Sequence, residues 1–372
     1  MSSVGLLGRI QSARFLTAPR TPCDGGGNAS ADCTVALMAV TSTAEHGEPD
    51  PFVHAFTGLI AGRAVTTGVM LGVFDALAER RASPSELAER LGLDPLGVDT
   101  LLTTLASLGY LEWNGERLRN APVAERLLVR SSPESIATFV GEQSDLHWEV
   151  LAMLPEAVRD GRAYAMHESR RDPERWEAYI RGLYEISRAE HDANAALVPV
   201  EEANEMVDVA GGHGAFAMAM CRRHPGLRAT VLDLPPAVAV GRRIVEQEGY
   251  ADRVSFHEGD VFDAGLGQDL DVVSAFNLVH HLPEESDREL CRMARAALRP
   301  GGCLVIGDSE RPEPGEPVSQ HGALSSLLFY AWSHSRNFTR AEIAGWLEEA
   351  GFEEVQVHRN ERSPWRIVVV GR

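Results

Sequence analysis

Apolar residues recur at helical spacing between Phe52 and Leu77 and predict one or two amphipathic helices. Gly68 and Gly72 are expected to interrupt these helices. The segment Ser83–Glu86 predicts the start of another helix, because a Ser N-cap, an early Pro and a Glu three residues later satisfy free backbone amides of the first turn. Short helices therefore open the patterned part of the chain.

A further helix and a hairpin follow. Asp94-Pro95 opens a helix with apolar residues on one face up to Leu108, where Gly109 ends it. Short stretches on either side of Asn114-Gly115 predict a hairpin, since this dipeptide favours a two-residue turn. Helix, turn, helix and hairpin together form a winged-helix pattern.

The period of the apolar pattern changes near Pro199. Residues 123–200 are predicted to be helical throughout, whereas short apolar runs alternate with helical segments after that point. Such alternation predicts a doubly wound, mainly parallel α/β sheet of the Rossmann-like class. The expected strands are Met206–Ala210, Thr230–Leu234, Val254–His257, Leu270–Phe276, Cys303–Ile306, Val355–Val357 and Ile367–Val370.

The charge of the chain limits its partners. The formal net charge is −19, and every one of the Lys+Arg residues is Arg. An acidic chain repels phosphate backbones and anionic headgroups, so neither nucleic acid nor a membrane is an expected partner. No Arg occurs between Leu91 and Glu116 to contact DNA. The winged-helix pattern is therefore interpreted as a packing or dimerisation module, not a DNA-binding one.

Residues 1–50 differ from the rest. They are rich in Gly, Ser, Thr and Ala, and they carry three Arg before the first acid, Asp24. An organelle-targeting leader, a disordered tail and a true start at Met38 are the open interpretations, with a disordered tail favoured. No apolar run approaches the roughly 18 residues of a membrane helix, and the cytoplasm is the expected location.

A glycine-rich turn carries the first chemical signal. Val207–Val209 runs into Ala210-Gly211-Gly212-His213-Gly214, and glycines allow the backbone to approach a ligand closely. Asp233 ends the next expected strand, at a spacing that suits a carboxylate binding both ribose hydroxyls of an adenosine. These two features alone fit either NAD or S-adenosylmethionine. Glu258–Val261 and the loop Leu298–Gly302 favour S-adenosylmethionine.

The ordered set of segments resembles the plant-type and bacterial small-molecule O-methyltransferases with an N-terminal dimerisation domain, over roughly residues 52–372. In that family an Asp-Leu-Pro segment, matched by Asp233–Pro235, binds ribose, and a Gly-Asp-hydrophobic segment, matched by Gly259–Val261, flanks adenine. The family's catalytic His aligns with His280, and its supporting acid aligns with Asp308. The resemblance implies S-adenosylmethionine as cofactor, S-adenosylhomocysteine as product, and a homodimer.

The resemblance also implies the organisation and the site residues. A tail (1–50), a helical winged-helix-like dimerisation and substrate-lid domain (51–200) and a catalytic domain (201–372) are expected. We assign cofactor binding to Asp208, Gly211, Gly212, Gly214, Asp233, Leu234, Asp260, Val261 and Asn277. We assign acceptor binding to Trp176, Tyr179, His281, Trp332 and Asn337, and catalysis to His280 as base with Asp308 orienting it.

Two departures from the family pattern bear on the acceptor. An Asp-Trp pair after the catalytic His is His281-Leu282 here, and a second acid is replaced by Asn337. The prediction of methyl transfer to an aromatic or polyketide-like hydroxyl is unchanged, but a standard phenol acceptor is less favoured.

Two alternatives stay open. His280, His281, His321 and His334 could converge on iron or zinc in a metal-assisted methyltransferase, with carbon as one candidate acceptor atom. A non-catalytic regulator that binds S-adenosylmethionine is the other alternative. The favoured hypothesis contains no metal, and the five cysteines include no Cys-x-x-Cys pair that would predict zinc.

Overall fold

The structure is a computed structural model that describes residues 51–164, 172–360 and 363–372. The predictions for residues 1–50 lie outside the described residues. The chain divides into two units, residues 1–60 and 61–372. The described part of the first unit is the beginning of a helix, and the second unit contains the elements that build the site.

The N-terminal elements follow the predicted winged-helix pattern. They are helices α1 (Pro51–Met70), α2 (Val73–Glu79), α3 (Pro84–Leu91), α4 (Pro95–Ser107) and α5 (Pro122–Leu127), with strands β1 (Leu111–Asn114) and β2 (Arg117–Asn120). Ser83 and Glu86 form the predicted capping box. The helix break lies at Gly72 (φ 72°), whereas α1 continues through Gly68.

The segment predicted to be helical throughout 123–200 is not. It contains a π-helical turn (Phe139–Gln143) and helices α6 (Ser144–Ala152), α7 (Leu154–Asp160), α8 (Pro173–Ser187) and α9 (His191–Ala195). Turns occupy residues 128–134, because Ser132-Pro133 favours a turn over a continued helix. The apolar spacing does not reveal this interruption.

All seven predicted strands are present in one sheet: β3 (Glu205–Val209), β4 (Arg228–Asp233), β5 (Val254–Glu258), β6 (Leu270–Phe276), β7 (Leu298–Ser309), β8 (Val355–Asn360) and β9 (Ser363–Gly371). The strand order is β5-β4-β3-β6-β7-β9-β8. Strands β3 to β7 pair in parallel, and β9 pairs antiparallel with both β7 and β8. The mainly parallel sheet is confirmed. The segment Leu298–Gly302, predicted as a loop, belongs to β7.

Helices cover both faces of the sheet: α10 (Ala215–Arg223), α11 (Pro235–Gln247), α12 (Val261–Ala264), α13 (Glu284–Ala297), α14 (Gln320–Ser333) and α15 (Arg340–Glu349). One apolar core contains α10 and α11, and the other contains α13 and α15. Trp176 and Ile180 of α8 belong to the first of these cores. Apolar packing thus crosses residue 200, and the domain boundary predicted there remains a prediction.

A third core joins the N-terminal helices and the hairpin, with Phe74, Leu87, Leu102 and Leu118 fully buried. Within the described ranges no single helix is long and apolar enough to cross a membrane. The bent pair α1 and α2 meets the length and composition criteria only when taken together, which is weak evidence for a span.

Candidate active site

The main candidate cavity lies where β3, β4, β5 and β6 end, and it has a volume of about 510 Å³. Strand β3 is flanked by β4 and β6, so the chain changes direction along the sheet at this point, which is the usual ligand crevice of an open parallel sheet. Eight of the nine residues assigned to the cofactor line the cavity: Asp208, Gly211, Gly212, Asp233, Leu234, Asp260, Val261 and Asn277. The ninth, Gly214, caps the start of α10 with φ 72°.

The glycine-rich turn is shaped by a buried carboxyl group. Asp208 is 1% exposed, and its Oδ1 accepts a hydrogen bond from Ser274 Oγ at 2.6 Å. A Cβ on Gly211 would lie 2.4 Å from Asp208 Oδ2, which no side chain could tolerate. Burial, with a further contribution from the charge of Asp233, raises the pKa of Asp208 to about 7. Because it has no side chain, Gly211 allows the backbone of the turn to lie this close to the Asp208 carboxyl group.

Asp233 connects the second strand to this turn. Its Oδ2 accepts a hydrogen bond from the Gly212 amide at 2.8 Å, and its Oδ1 accepts one from the Leu234 amide at 2.6 Å. Burial raises the pKa of Asp233 to about 6, although both amide contacts favour the ionised form. The carboxylate retains lone pairs for two vicinal hydroxyls.

Sequence reasoning missed Gly241. This residue lies inside α11, where a Cβ would come within 2.1 Å of the Gly212 carbonyl oxygen. The helix therefore packs directly against the glycine-rich turn. An isolated Gly within an amphipathic helix was the available signal, since such a residue weakens the helix unless packing requires it.

The two residues assigned to catalysis form a buried pair. His280 lies in a 3-10 turn after β6, and Asp308 lies near the end of β7. His280 Nδ1 is 2.6 Å from Asp308 Oδ1, and the two side chains are 3% and 1% exposed. The carboxylate thus accepts the Nδ1 proton, and Nε2 is left as the basic nitrogen. The His280 ring stacks on Phe329, with centroids 3.6 Å apart.

Of the two adjacent histidines, His281 lines the described cavity and His280 does not. His281 Nδ1 shares a hydrogen bond with Ser333 Oγ at 2.6 Å, and the two imidazole centroids are 4.2 Å apart. Among residues 51–164, 172–360 and 363–372, no three His, Cys, Asp or Glu side chains converge as metal ligands. His280 and His281 thus occupy different environments.

Aromatic side chains form one wall of the cavity. Trp176 and Tyr179 line it, and each is less than 10% exposed. Trp332 lies beside this wall, edge-on to Tyr179 and His281 at 6.2 and 6.1 Å between centroids. Asn337 is placed differently from its assignment: its side chain is buried against α14, with Nδ2 3.0 Å from Ser325 Oγ.

Asp287 was also missed by sequence reasoning. It lies in the first turn of α13, where an acidic residue is ordinarily an exposed partner of the helix dipole. Here it is 1% exposed, and neither carboxyl oxygen has a partner within the described part of the chain. Burial, with contributions from Asp308 and Glu284, raises its pKa to about 9. Burial thus favours the neutral form of the Asp287 carboxyl group.

Two family models match the chain. The model of the O-methyltransferase domain matches residues 152–353, and that of the O-methyltransferase dimerisation domain matches residues 53–130. The first begins ahead of the sheet, which agrees with the packing of α8 in the sheet core.

The chain is also similar to curated relatives and to solved structures. The 3-hydroxy-5-methyl-1-naphthoate 3-O-methyltransferase of Streptomyces sahachiroi is 30% identical, over 82% of this chain and 89% of the relative. An N,N-dimethyltransferase, OxyT of Streptomyces rimosus, is 29% identical, over 90% and 99%. Human N-acetylserotonin methyltransferase in complex with S-adenosylmethionine shares the fold, with a TM-score of 0.78 and 21% identity over 88% of this chain and 99% of that one.

Proposed function

Since the chain belongs to the S-adenosylmethionine-dependent O-methyltransferase family with an N-terminal dimerisation domain, we propose that it methylates a hydroxyl group of an aromatic or polyketide-like small molecule. The observation that carries the proposal is the buried Asp308–His280 pair next to a cavity with an aromatic wall. An apolar wall binds a planar acceptor, and the imidazole takes up its proton.

The residues present fit S-adenosylmethionine. The Asp233 carboxylate suits the ribose hydroxyls, and Asp260 with Val261 suits the adenine at the next strand end. Gly211 packs against Asp208 and lines the cavity without a side chain, so its backbone can contact the cofactor directly. The cofactor supplies an activated methyl group when bound, so the protein's task is alignment and proton removal.

Proton removal explains the need for a base. A phenol ordinarily ionises near pH 10, so it is protonated at neutral pH. In the proposed mechanism His280 Nε2 accepts the hydroxyl proton while Asp308 holds the ring through Nδ1 and stabilises the imidazolium. His281 and the aromatic wall position the acceptor.

OxyT is named an N,N-dimethyltransferase, so transfer of the methyl group to nitrogen is the alternative function for this site. Product analysis separates the possibilities. With methyl-labelled S-adenosylmethionine, a naphthoate-type acceptor that carries both a hydroxyl and an amino group is expected to yield an O-methyl ether, and its analogue without the hydroxyl is expected to yield no product. Transfer to the hydroxyl-free analogue, or a product methylated at nitrogen or carbon, would contradict the proposal. Loss of activity in chelator would instead support the metal-assisted mechanism.

We also propose that the chain forms a homodimer through its N-terminal domain. Several large apolar side chains there are exposed in the single chain, including Leu96 at 75% and Trp113 at 49%. Large exposed apolar patches ordinarily mark an interface. Light scattering of the full chain at micromolar concentration is expected to give twice the 40.5 kDa chain mass. A monomer that persists over a hundredfold range of concentration would contradict this.

A further inference from the structure

The cavity wall contains acids and imidazoles but no arginine among the described residues. Asp208, Asp233 and Asp260 line it, together with three histidines, and the chain has no Lys. This composition suits the cationic sulfonium and ammonium of S-adenosylmethionine. It leaves the carboxylate at the methionine end without a cationic partner in the wall.

Arg366 lies just behind the wall and acts through Asn277. The Arg366 side chain, 21% exposed, extends from β9, and its Nη2 donates to Asn277 Oδ1 at 2.6 Å. Asn277 follows β6, where its backbone N–H donates to the Gly307 carbonyl at 2.8 Å and its φ is 55°. A left-handed backbone at a non-Gly residue is uncommon, and it holds this side chain at the cavity edge.

This contact determines which end of the amide faces the ligand. A guanidinium group carries only donors, so the atom of Asn277 that it meets must be the carbonyl oxygen. The NH2 group is then directed elsewhere, and it has no partner among the residues that the structure describes. Arg366 therefore leaves the NH2 group of Asn277 to face the cavity, where it can donate a hydrogen bond to an anionic group such as a carboxylate.

Arg366 also contacts the segment that begins α9. His191, 2% exposed, lines the cavity edge-on to Phe276. The preceding Glu190 lies 3.8 Å from Arg366 Nε. One arginine thus contacts both the loop after β6 and the start of α9.

We propose that Arg366 is a positioning residue for the cofactor, which orients Asn277 to donate to the carboxylate at the methionine end. The inference rests on the proposed function only because it requires S-adenosylmethionine to bind in this cavity. It does not depend on which molecule is methylated. The Glu190–Arg366–Asn277 network selects donors and products that carry the carboxylate. Ligands that lack this group gain nothing from it.

The test compares two ligands by calorimetry: S-adenosylhomocysteine and its decarboxylated analogue, which keeps the amine and lacks the carboxylate. Arg366→Gln is expected to weaken S-adenosylhomocysteine about tenfold, a usual size for one charge-assisted hydrogen bond, and to change the analogue less than twofold. Arg359→Gln is the matched control, because Arg359 lies in the same hairpin and pairs with Glu310. It is expected to leave both affinities unchanged.

Asn277→Asp tests the same idea if Arg366→Gln does not fold. The new carboxylate keeps a partner for Arg366 but offers no donor, so it is expected to weaken S-adenosylhomocysteine and not the analogue. An equal loss for both ligands, or no loss for either, would overturn the inference. If the proposed cofactor site is correct, Asp233→Ala lowers the affinity for both ligands. An incorrect Arg366 inference can therefore be distinguished from an incorrect cofactor site.

Discussion

Replacing His280 by Gln is expected to lower turnover by about 10²–10⁴-fold, the usual contribution of a general base, while cofactor affinity stays unchanged. Gln keeps a polar side chain of similar size but cannot accept the proton that the acceptor hydroxyl loses. Since His280 is not part of the described cavity lining, its removal is not expected to disturb donor binding. Single-turnover rates and calorimetry on the same preparation check the two halves of this prediction.

Two further variants make the result specific. Asp308→Asn is expected to cost less, because it removes charge support and orientation but leaves the imidazole in place. His281→Gln changes a residue that lines the cavity, so it is expected to raise KM for the acceptor more than it lowers turnover. If His281→Gln is as damaging to turnover as His280→Gln, and chelators also abolish activity, the two imidazoles are metal ligands and the acid–base mechanism is wrong.

Replacing Asp233 by Ala is the second large expected effect. Loss of this carboxylate leaves two ribose hydroxyls poorly paired, which costs roughly 1–3 kcal/mol or more. Both S-adenosylmethionine and its demethylated product are therefore expected to bind more weakly, by about fivefold to about 150-fold or more. Tight binding of NAD without binding of S-adenosylmethionine would contradict the assignment. Calorimetry measures each affinity directly.

The same carboxylate predicts a pH dependence. Burial raises the pKa of Asp233 to about 6, and the ionised form is the one that accepts the ribose hydroxyls. Affinity is therefore expected to hold above pH 7 and to fall as the pH drops through about 6 and the carboxylate takes up a proton. Asp233→Asn, which cannot ionise, is the control and is expected to flatten this part of the profile.

The sequence predicts much of the fold because short apolar runs alternate with helical segments after Pro199. Leu270–Phe276, which is buried at every position, is such a run at the centre of the parallel sheet. The break at residues 128–134 was missed because helical patterns lie on both sides of a short polar stretch, Arg130–Ser135, that contains the turn signal Ser132-Pro133. Local signals thus predict the elements better than their interruptions.

The site was predictable where its residues lie at strand ends and not where distant segments meet. Asp208 and Asp233 follow from their positions at the ends of β3 and β4. The contact between Arg366 and Asn277 depends on β9 lying antiparallel beside β7, which no local pattern specifies. The orientation of two neighbouring imidazoles likewise depends on a 3-10 turn of three residues.

The close packing of Gly241 against Gly212 has a consequence for how this enzyme could acquire new acceptors. A Cβ on residue 241 would lie 2.1 Å from the Gly212 carbonyl oxygen, so α11 packs directly against the glycine-rich turn. The helix and the turn cannot shift relative to each other without losing this fit. The half of the cavity proposed to bind the methyl donor is thus built from closely packed backbone. The aromatic wall from α8 is made of side chains, and Trp176 and Tyr179 belong to the same apolar core as α10 and α11. Under the proposed function, substitutions at these two residues are expected to change acceptor preference, provided that they keep the packing of that core.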